Sequence, residues 1–223
     1  TIDGTDDLIS NIVITANWDP KNDFSEYPIS GLCGIVYHDR NRSATQMPDA
    51  NEEGLQNWTL TLTGAQVLVP TTTTTDIQGR YCFPNLAPGS YTVTETQNTL
   101  YASSYNNDQV EVVAVPSTPV NNVNFGEYLG TIACKVYYDK DKSMVFGGAD
   151  TAMSGEEIKL VDQATGLVVG TQFTDASGNC MFRDVPAGTY KLIETQPLGY
   201  SSTQNPTNQI TVILLPGGDS INN

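Results

Sequence analysis

The sequence predicts an all-β protein built from two tandem Ig-like or prealbumin-like β-sandwich domains. Thr, Asn, Gly, Val and Tyr are plentiful, whereas long helical patterns of Ala, Leu, Glu and Lys are missing. The stretches "TTDIQGRYCFPNLAPGSYTVTETQ" and "FTDASGNCMFRDVPAGTYKLIETQPLGY" repeat at an offset of roughly one hundred residues, which indicates two homologous copies. Each copy contains short alternating runs separated by Gly, Pro and Asp turns, as is typical of a sandwich.

The repeat also predicts the domain boundaries. Domain one covers residues 29–128 and domain two covers residues 129–223, while residues 1–28 belong to neither copy. Only Leu129 and Gly130 separate the last strand of one copy from the first strand of the next. A linker this short predicts a stiff pair of domains.

The individual strands follow from local patterns. "LCGIVYHD" and "TIACKVYYD" open the two copies, "WTLTLTG" and "EEIKLVD" alternate, and "GRYCF" and "GNCMF" follow Asp-x-x-Gly turns. In "LAPGSYTVTET" a Pro/Gly turn leads into a strand on which Tyr91, Val93 and Glu95 share one face.

These motifs carry a family resemblance. The run T-D-x-x-G-x-x-x-F-x-x-[LV]-x-x-G-x-Y-x-[VL]-x-E-T, with Y-x-D-x-[ND]-x-S before it and V-x-F-G after it, resembles the SdrD B-like and collagen-adhesin B-type (CnaB-like) repeats of bacterial surface proteins. The resemblance covers residues 29–223. It implies a prealbumin-like sandwich that serves as an adhesin stalk module or a pilus subunit, with Ca²⁺ or an internal Lys–Asn isopeptide bond in some members.

Charge and hydropathy restrict the partners. With 25 acidic and 10 basic side chains the formal charge is -15, which makes nucleic acid and anionic membrane surfaces unfavourable partners. No stretch approaches the ~18 apolar residues of a membrane span. The chain begins at Thr1 without an initiator Met, which is consistent with a processed or excised product.

Catalysis is not expected. The chain has a single histidine, His38, no Gly-x-Ser-x-Gly motif and no Cys/His metal spacing. His38 alternates with Tyr37 near the end of a strand, and we expect it at the surface or at a sheet edge.

The four cysteines predict two disulfides, which fits an extracellular location. When the copies are aligned, Cys134 corresponds to Gly34 and Cys180 corresponds to Tyr81, so each cysteine is displaced by one position. Both possible pairs in copy-one numbering, 33 with 82 and 34 with 81, have the same index sum, as opposed residues of an antiparallel ladder do. We therefore favour Cys33–Cys82 and Cys134–Cys180 among the three connectivities, with free buried thiols as the alternative.

Two acidic loops are candidate Ca²⁺ sites, because oxygen ligands at alternate positions suit a hard cation. The candidate ligands are Asp39, Asn41, Ser43, Asp49 and Glu53 in copy one, and Asp139, Asp141, Ser143 and Asp150 in copy two. Ser-Ala or Ser-Met stands where the resembling domains often have Asp-Gly, and basic residues lie between the ligands. The alternative is a solvated polar turn.

Isopeptide chemistry has an incomplete set of candidates. The bond needs a Lys on the first strand, an Asn or Asp on the last, and a buried acid that moves protons. Lys135 and Glu194 fit the first and third roles in copy two, and Glu95 matches the acid in copy one. Ile35 replaces the Lys in copy one, and copy two has no residues to match the last strand.

Strand counting predicts that domain two lacks its final strand. Asn122 aligns with Asn223, so the second copy ends before the equivalent of "VNFGEY". A sandwich without that strand exposes a groove and unpaired backbone groups that recruit another strand. The unassigned segment "LISNIVITANW" contains a candidate donor strand, made of Asn11, Ile12, Val13, Ile14, Thr15 and Ala16.

The functional prediction is a structural subunit of an extracellular filament or pilus. The donor strand of one copy would insert into domain two of the next, so that copies of the chain join head to tail. The alternative is a stalk or spacer fragment of a longer cell-surface adhesin, whose further residues supply the strand. A ligand-binding module is a third reading, with weak support in the sequence.

Overall fold

A computed structural model describes residues 30–64, 67–106, 108–114, 118–204 and 206–221 of the chain. Every secondary-structure element assigned in these ranges is a β-strand. The strands form two successive β-sandwiches, which confirms the predicted fold class. Residues 1–28, with the candidate donor strand Asn11–Ala16, lie outside the described residues.

The first sandwich consists of two four-stranded sheets. Its described strands are β1 (Ser30–His38), β2 (Thr59–Gly64), β3 (Val67–Thr74), β4 (Arg80–Leu86), β5 (Gly89–Glu95), β6 (Ala102–Tyr105), β7 (Gln109–Ala114) and β8 (Phe125–Tyr128). The sheet orders are β4-β1-β8-β6 and β3-β2-β5-β7. Neighbouring strands are antiparallel except β1 and β8, which run parallel.

Alternating apolar residues build the core of the first sandwich. Leu60 and Leu62 of β2 and Tyr91 and Val93 of β5 point to the same face, and each is at most 1% exposed. Phe125 of β8 is fully buried against them from the other sheet. Burying a side chain of this kind contributes about 1.5–3 kcal/mol, so these alternating positions stabilise the contact between the sheets.

The second sandwich repeats this plan with changes. Its described strands are β9 (Gly130–Lys135), β10 (Tyr137–Tyr138), β11 (Thr151–Ala152), β12 (Glu157–Asp162), β13 (Val168–Phe173), β14 (Asn179–Val185), β15 (Gly188–Glu194), β16 (Gln209–Leu214) and β17 (Asp219–Ser220). The sheets are β13-β12-β15-β16, β14-β9-β17 and the small pair β10-β11. A separate apolar cluster that includes Ile132, Leu160, Phe182 and Leu192 forms its core.

The structure contains the two expected disulfides, Cys33–Cys82 and Cys134–Cys180, each between directly opposed residues of an antiparallel ladder. The one-position displacement has a structural consequence, because successive residues of a strand point to opposite faces. Cys134 and Cys180 are 8% and 4% exposed and belong to the core, whereas Cys82 is exposed on the outer face of the first sandwich.

In the first sandwich, a glycine and a tyrosine occupy the rung that holds the buried disulfide in the second. Gly34 lies opposite Tyr81, and the Tyr81 hydroxyl donates a hydrogen bond to the Val123 carbonyl. A Cβ on Gly34 would lie 1.8 Å from that carbonyl oxygen. The missing side chain therefore lets the segment before β8 cross close over β1.

Candidate functional site

The two sandwiches differ at the far end of their first strands. In the first sandwich, β8 pairs in parallel with the end of β1. The pairs are Val36 with Phe125, Tyr37 with Gly126 and His38 with Glu127. Asn124 anchors this closing strand, because its Oδ1 accepts a hydrogen bond from the Ile35 amide at 2.9 Å and its Nδ2 donates to the Gln46 carbonyl at 2.6 Å.

The matching backbone of the second sandwich, Val136–Tyr138, has a strand on one side. Tyr137 and Tyr138 pair with β11 there. In the part of the chain that the structure describes, no strand pairs along the other side, since β17 reaches only Thr131 and Ile132 of β9. The described residues of the second sandwich thus contain no counterpart of β8, as the strand count predicts.

A groove lies beside this edge. It has a volume of about 330 Å³, and its lining includes Val136, Ile158, Leu192, Glu194 and Ile210. We call it the edge groove. Burial, and then the nearby charge of Glu156, raise the pKa of the Glu194 carboxyl above its usual range. The groove is lined by both apolar and polar side chains, and it lies beside an edge along which the described residues place no strand. Such an edge is suited to binding an additional strand.

The isopeptide candidates also line the edge groove, but they have other partners. The Lys135 ammonium donates to the Ser177 carbonyl at 2.8 Å and to Asn179 Oδ1 at 2.9 Å, and it lies 4.3 Å from the ring centre of Phe146. Among the described residues, no hydrogen bond or salt bridge joins Lys135 to Glu194. An isopeptide bond at Lys135 stays a prediction.

The first acidic loop, which we call the Asp39 loop, is organised by one buried carboxylate. Asp39 is fully buried and accepts hydrogen bonds from the amides of Ser43 and Ala44, both at 2.9 Å. Asn41 accepts from the Ser43 amide and donates to Asp49 at 2.6 Å. These four predicted ligands therefore lie close together, but the backbone already occupies much of the oxygen capacity of Asp39.

Glu53, the fifth predicted Ca²⁺ ligand of the first copy, points away from the Asp39 loop. Its carboxylate binds Arg40 Nε at 3.0 Å and lies 3.2 Å from His38 Nδ1. The neighbouring residue Glu52 faces the Asp39 loop instead, and burial followed by the charge of Asp39 raises the pKa of its carboxyl. The Asp49 amide donates to the Glu52 carboxylate at 2.8 Å, so Glu52, and not the predicted Glu53, contacts this loop.

The second acidic loop, the Asp139 loop, gathers three carboxylates. Oxygens of Asp139, Asp141 and Asp150 lie within 4.8 Å of one another. The Ser143 amide donates to Asp139 at 3.0 Å and to Asp141 at 2.9 Å, and the Lys140 amide donates to Asp150. This cluster of oxygens could bind a hard cation.

The structure brings together a third group of carboxylates that the sequence does not predict. Glu95, Asp108 and Glu127 come from β5, from the turn before β7 and from β8, and their oxygens also lie within 4.8 Å of one another. We call this set the buried acid cluster. The burial of Glu95 could be predicted from strand alternation, since Glu95 shares the inward face of Tyr91 and Val93. The positions of Asp108 and Glu127 depend on tertiary structure.

A network of ionic contacts joins the two sandwiches around His38. Arg40 of the first sandwich bridges Glu53 and Asp184, and Asp184 lies on β14 of the second. His38 is only 3% exposed, so the expectation of a surface or edge position was wrong. Its ring lies between Glu53 and Asp184, with Nε2 3.5 Å from the Asp184 carboxylate, and edge-on to Tyr101.

Arg42 makes the second part of this junction. Its guanidinium binds both carboxylate oxygens of Asp219 at 2.8 Å and donates to the Leu129 carbonyl at 2.8 Å. It also lies 4.6 Å from the ring centre of Tyr128. Arg42 lowers the pKa of the Asp219 carboxyl, chiefly through these hydrogen bonds. The basic residues between the predicted calcium ligands therefore hold the junction between the sandwiches.

Comparison with known families settles the relationship of the chain. The SdrD B-like domain family matches residues 30–116 and again residues 130–211, one match for each sandwich. The chain belongs to this family. The predicted resemblance is thus confirmed.

Two relatives match most of the chain. Serine-aspartate repeat-containing protein E of Staphylococcus aureus is 28% identical over a region that covers 94% of this chain and 20% of that protein. Serine-aspartate repeat-containing protein F of Staphylococcus epidermidis is 30% identical over 79% of this chain and 12% of that protein. The chain therefore spans a fifth or less of the length of these relatives.

Solved structures give a looser likeness. The Bacillus anthracis TIE protein matches 86% of this chain and 33% of its own length, with 18% sequence identity and a TM-score of 0.48. A streptococcal ancillary pilin matches 89% of this chain and 64% of its own length, with 16% identity and a TM-score of 0.36.

The family relationship and the disulfides place these B-like domains outside the cell, at the cell surface, as predicted. Within the described ranges, the structure contains no helix of the length and apolarity that a membrane span requires.

Proposed function

We propose that the two B-like sandwiches, with boundaries at residues 29–128 and 129–223, act as a rigid, non-catalytic spacer in a cell-surface adhesin. The observation that carries this proposal is the junction made by Arg42. A bidentate contact to Asp219, a backbone contact to Leu129 and stacking on Tyr128 fix one side chain from both sandwiches at once. Arg40 and Asp184 add a second point of attachment.

Two attachment points on different strands restrict both bending and twisting. A further backbone contact, from the Ala187 amide to the Leu100 carbonyl at 3.2 Å, joins the sandwiches at a third place. Domain pairs with small, polar interfaces move by default. These contacts and the short linker support a single orientation, which suits a part that must keep a binding region away from the cell wall.

Arg42→Ala is expected to widen the range of orientations between the sandwiches without unfolding either one. The reason is that the substitution removes the contacts to Asp219, Leu129 and Tyr128 together. Small-angle X-ray scattering and NMR alignment of each sandwich in the full chain would measure the change. The unaltered chain should also loosen at low pH, because the contact is lost as the pH falls through the lowered pKa of Asp219.

Arg80→Ala is the matched control, since Arg80 is an exposed arginine of β4. It should leave the scattering profile unchanged. A broad distribution of orientations in the unaltered chain would overturn the spacer proposal.

The edge groove favours a second candidate function, that of a filament subunit. We propose that the segment Asn11–Ala16 of one copy adds as a strand along Val136–Tyr138 of another. The alternating residues Ile12 and Ile14 would face the groove, and the backbone would supply the ladder hydrogen bonds. Because the contact joins different surfaces of the two copies, it would repeat head to tail.

Filaments are expected from the full chain after concentration, and monomers from a chain without residues 1–18. Negative-stain microscopy and sedimentation would measure both. Monomers from both chains would contradict strand donation and leave the spacer proposal intact.

A double substitution gives a sharper control than the deletion. Ile12→Asp/Ile14→Asp keeps the length of the segment but places charge in the groove, so it should also abolish filaments. Ser10→Asp, outside the segment that would be inserted, should not.

We further propose that the Asp139 loop binds Ca²⁺ through Asp139, Asp141 and Asp150. Three carboxylates within reach of one ion support this loop. Backbone amides engage the first aspartate equally in both loops, Ser143 and Met144 on Asp139 as Ser43 and Ala44 on Asp39, so the three clustered carboxylates are what distinguish the Asp139 loop. A calcium titration that compares Asp141→Asn with the unaltered chain tests the site, and equal affinity would contradict it.

A further inference from the structure

The buried acid cluster lies inside the first sandwich, apart from the acidic loops. Glu95 is the last residue of β5 in one sheet, and Glu127 lies on β8 in the other. Asp108 reaches the same point from the turn before β7, and its backbone carbonyl accepts a hydrogen bond from the Glu95 amide at 2.8 Å. The three carboxylates thus converge from three segments of the chain that the fold holds in place.

Two of these carboxylates are buried without full hydrogen bonding. Glu95 is 3% exposed, and neither of its carboxylate oxygens has a hydrogen-bond partner among the described residues. Glu127 is fully buried, and its Oε1 also lacks a partner within the described ranges. Its Oε2 accepts a hydrogen bond from Gln97 Nε2 at 2.8 Å. The unpartnered oxygens belong to a group of atoms that all lie within 4.8 Å of one another.

The cluster has no protein cation to balance it. In the part of the chain that the structure describes, none of the three carboxylates takes part in a salt bridge. The charged groups that act on Glu95 are Glu127 and Asp108, which are both acidic. An isolated buried charge is very unfavourable, so a buried carboxylate is paired with a cation, coordinates a metal or takes up a proton.

We propose that Glu95, Asp108 and Glu127 form an internal binding site for a hard divalent cation of the calcium class. The ligands are all oxygens, which such ions prefer over the nitrogen and sulfur ligands of zinc or copper sites. Three carboxylates around one divalent ion leave a small residual negative charge in the cluster. The cation would fasten β5 to β8, and so connect the two sheets of the first sandwich.

Neighbouring polar groups hold two of the carboxylates in position. The Ser103 hydroxyl contacts both Asp108 Oδ1 and Gln97 Oε1, and Gln97 in turn donates to Glu127. Asp108 is half-buried, whereas the two glutamates are buried, so Asp108 is the member of the cluster that solvent reaches. Outer-shell partners of this kind orient ligands and affect the affinity for metal.

Calcium titration of a chain in which the loop sites are weakened tests the proposal. The starting protein is the full chain with Asp49→Asn and Asp141→Asn, freed of metal by a chelator. Titration calorimetry with CaCl₂ should show one site, and thermal unfolding followed by tryptophan fluorescence should shift upward with CaCl₂. Adding Asp108→Asn should weaken the affinity at least about tenfold, because it removes one of three charged ligands.

Glu127→Gln is the second variant, and circular dichroism would establish that each variant is folded. Glu111→Gln is the matched control, since it removes one exposed carboxylate from β7 and should leave calcium affinity unchanged. The proposal is overturned if the starting protein binds no calcium up to about 10 mM, which is above the range of extracellular calcium modules. It is also overturned if folded Asp108→Asn and Glu127→Gln bind calcium as tightly as the control.

Discussion

Gly34→Ala is expected to destabilise the first sandwich by about 3 kcal/mol, the upper part of the usual range for overpacking. The new Cβ would lie 1.8 Å from the Val123 carbonyl oxygen and 2.5 Å from its carbon, and both are backbone atoms held by hydrogen bonds. The segment that leads into β8 would have to move away from β1. Denaturant unfolding of the full chain, followed through the first sandwich, measures the loss.

Gly31→Ala on the same strand is the matched control. Its Cβ would meet the Phe83 carbonyl oxygen at 3.4 Å, an ordinary contact distance. This change should therefore cost much less than Gly34→Ala. Equal stability of the two variants would contradict the close crossing of the closing segment over Gly34.

Cys134→Ala/Cys180→Ala is expected to destabilise the second sandwich by about 4 kcal/mol. Without the disulfide, the residues that it encloses regain conformational entropy in the unfolded state, and the gain increases with the length of that loop. The two residues are 46 positions apart and lie in the core, so the variant also loses packing. Thermal unfolding of the variant and of the unaltered chain, under oxidising conditions, measures the difference.

Cys33→Ala/Cys82→Ala provides the comparison, because its loop has nearly the same length, with a separation of 49, but its disulfide faces outward. This variant should lose less stability. In a titration with reductant, Cys33–Cys82 should open first, since Cys82 is exposed. Earlier reduction of Cys134–Cys180 would show that burial does not protect it.

The parts of the structure set by local pattern could be predicted from the sequence. Alternation placed Tyr91 and Val93 in the core, and the constant index sum placed the cysteines opposite one another. The absence of a match to "VNFGEY" predicted that the second sandwich lacks its final strand, and the structure locates the free side at Val136–Tyr138 among the described residues. Each of these depends on strand period or pairing register, and both can be read along the chain.

The parts set by contacts between distant segments could not be predicted in this way. From the sequence, Arg42 is a basic residue between candidate ligands that disfavours calcium binding by its loop. In the structure its main partner is Asp219, which lies in the other sandwich. His38 looked like an edge residue because nothing in its own strand shows that Asp184 and Tyr101 cover it. Glu127 gave no local signal either, since its closeness to Glu95 arises only when the two sheets pack together.

The disulfides also determine how far the protein can lengthen under mechanical load. A force applied to the two ends of the chain cannot extend the residues that a disulfide encloses. At about 3.3–3.6 Å per extended residue, the loops closed by Cys33–Cys82 and Cys134–Cys180 withhold roughly 170 Å and 160 Å of contour length. Even if both sandwiches unfolded completely, the force would extend only the residues outside these two loops.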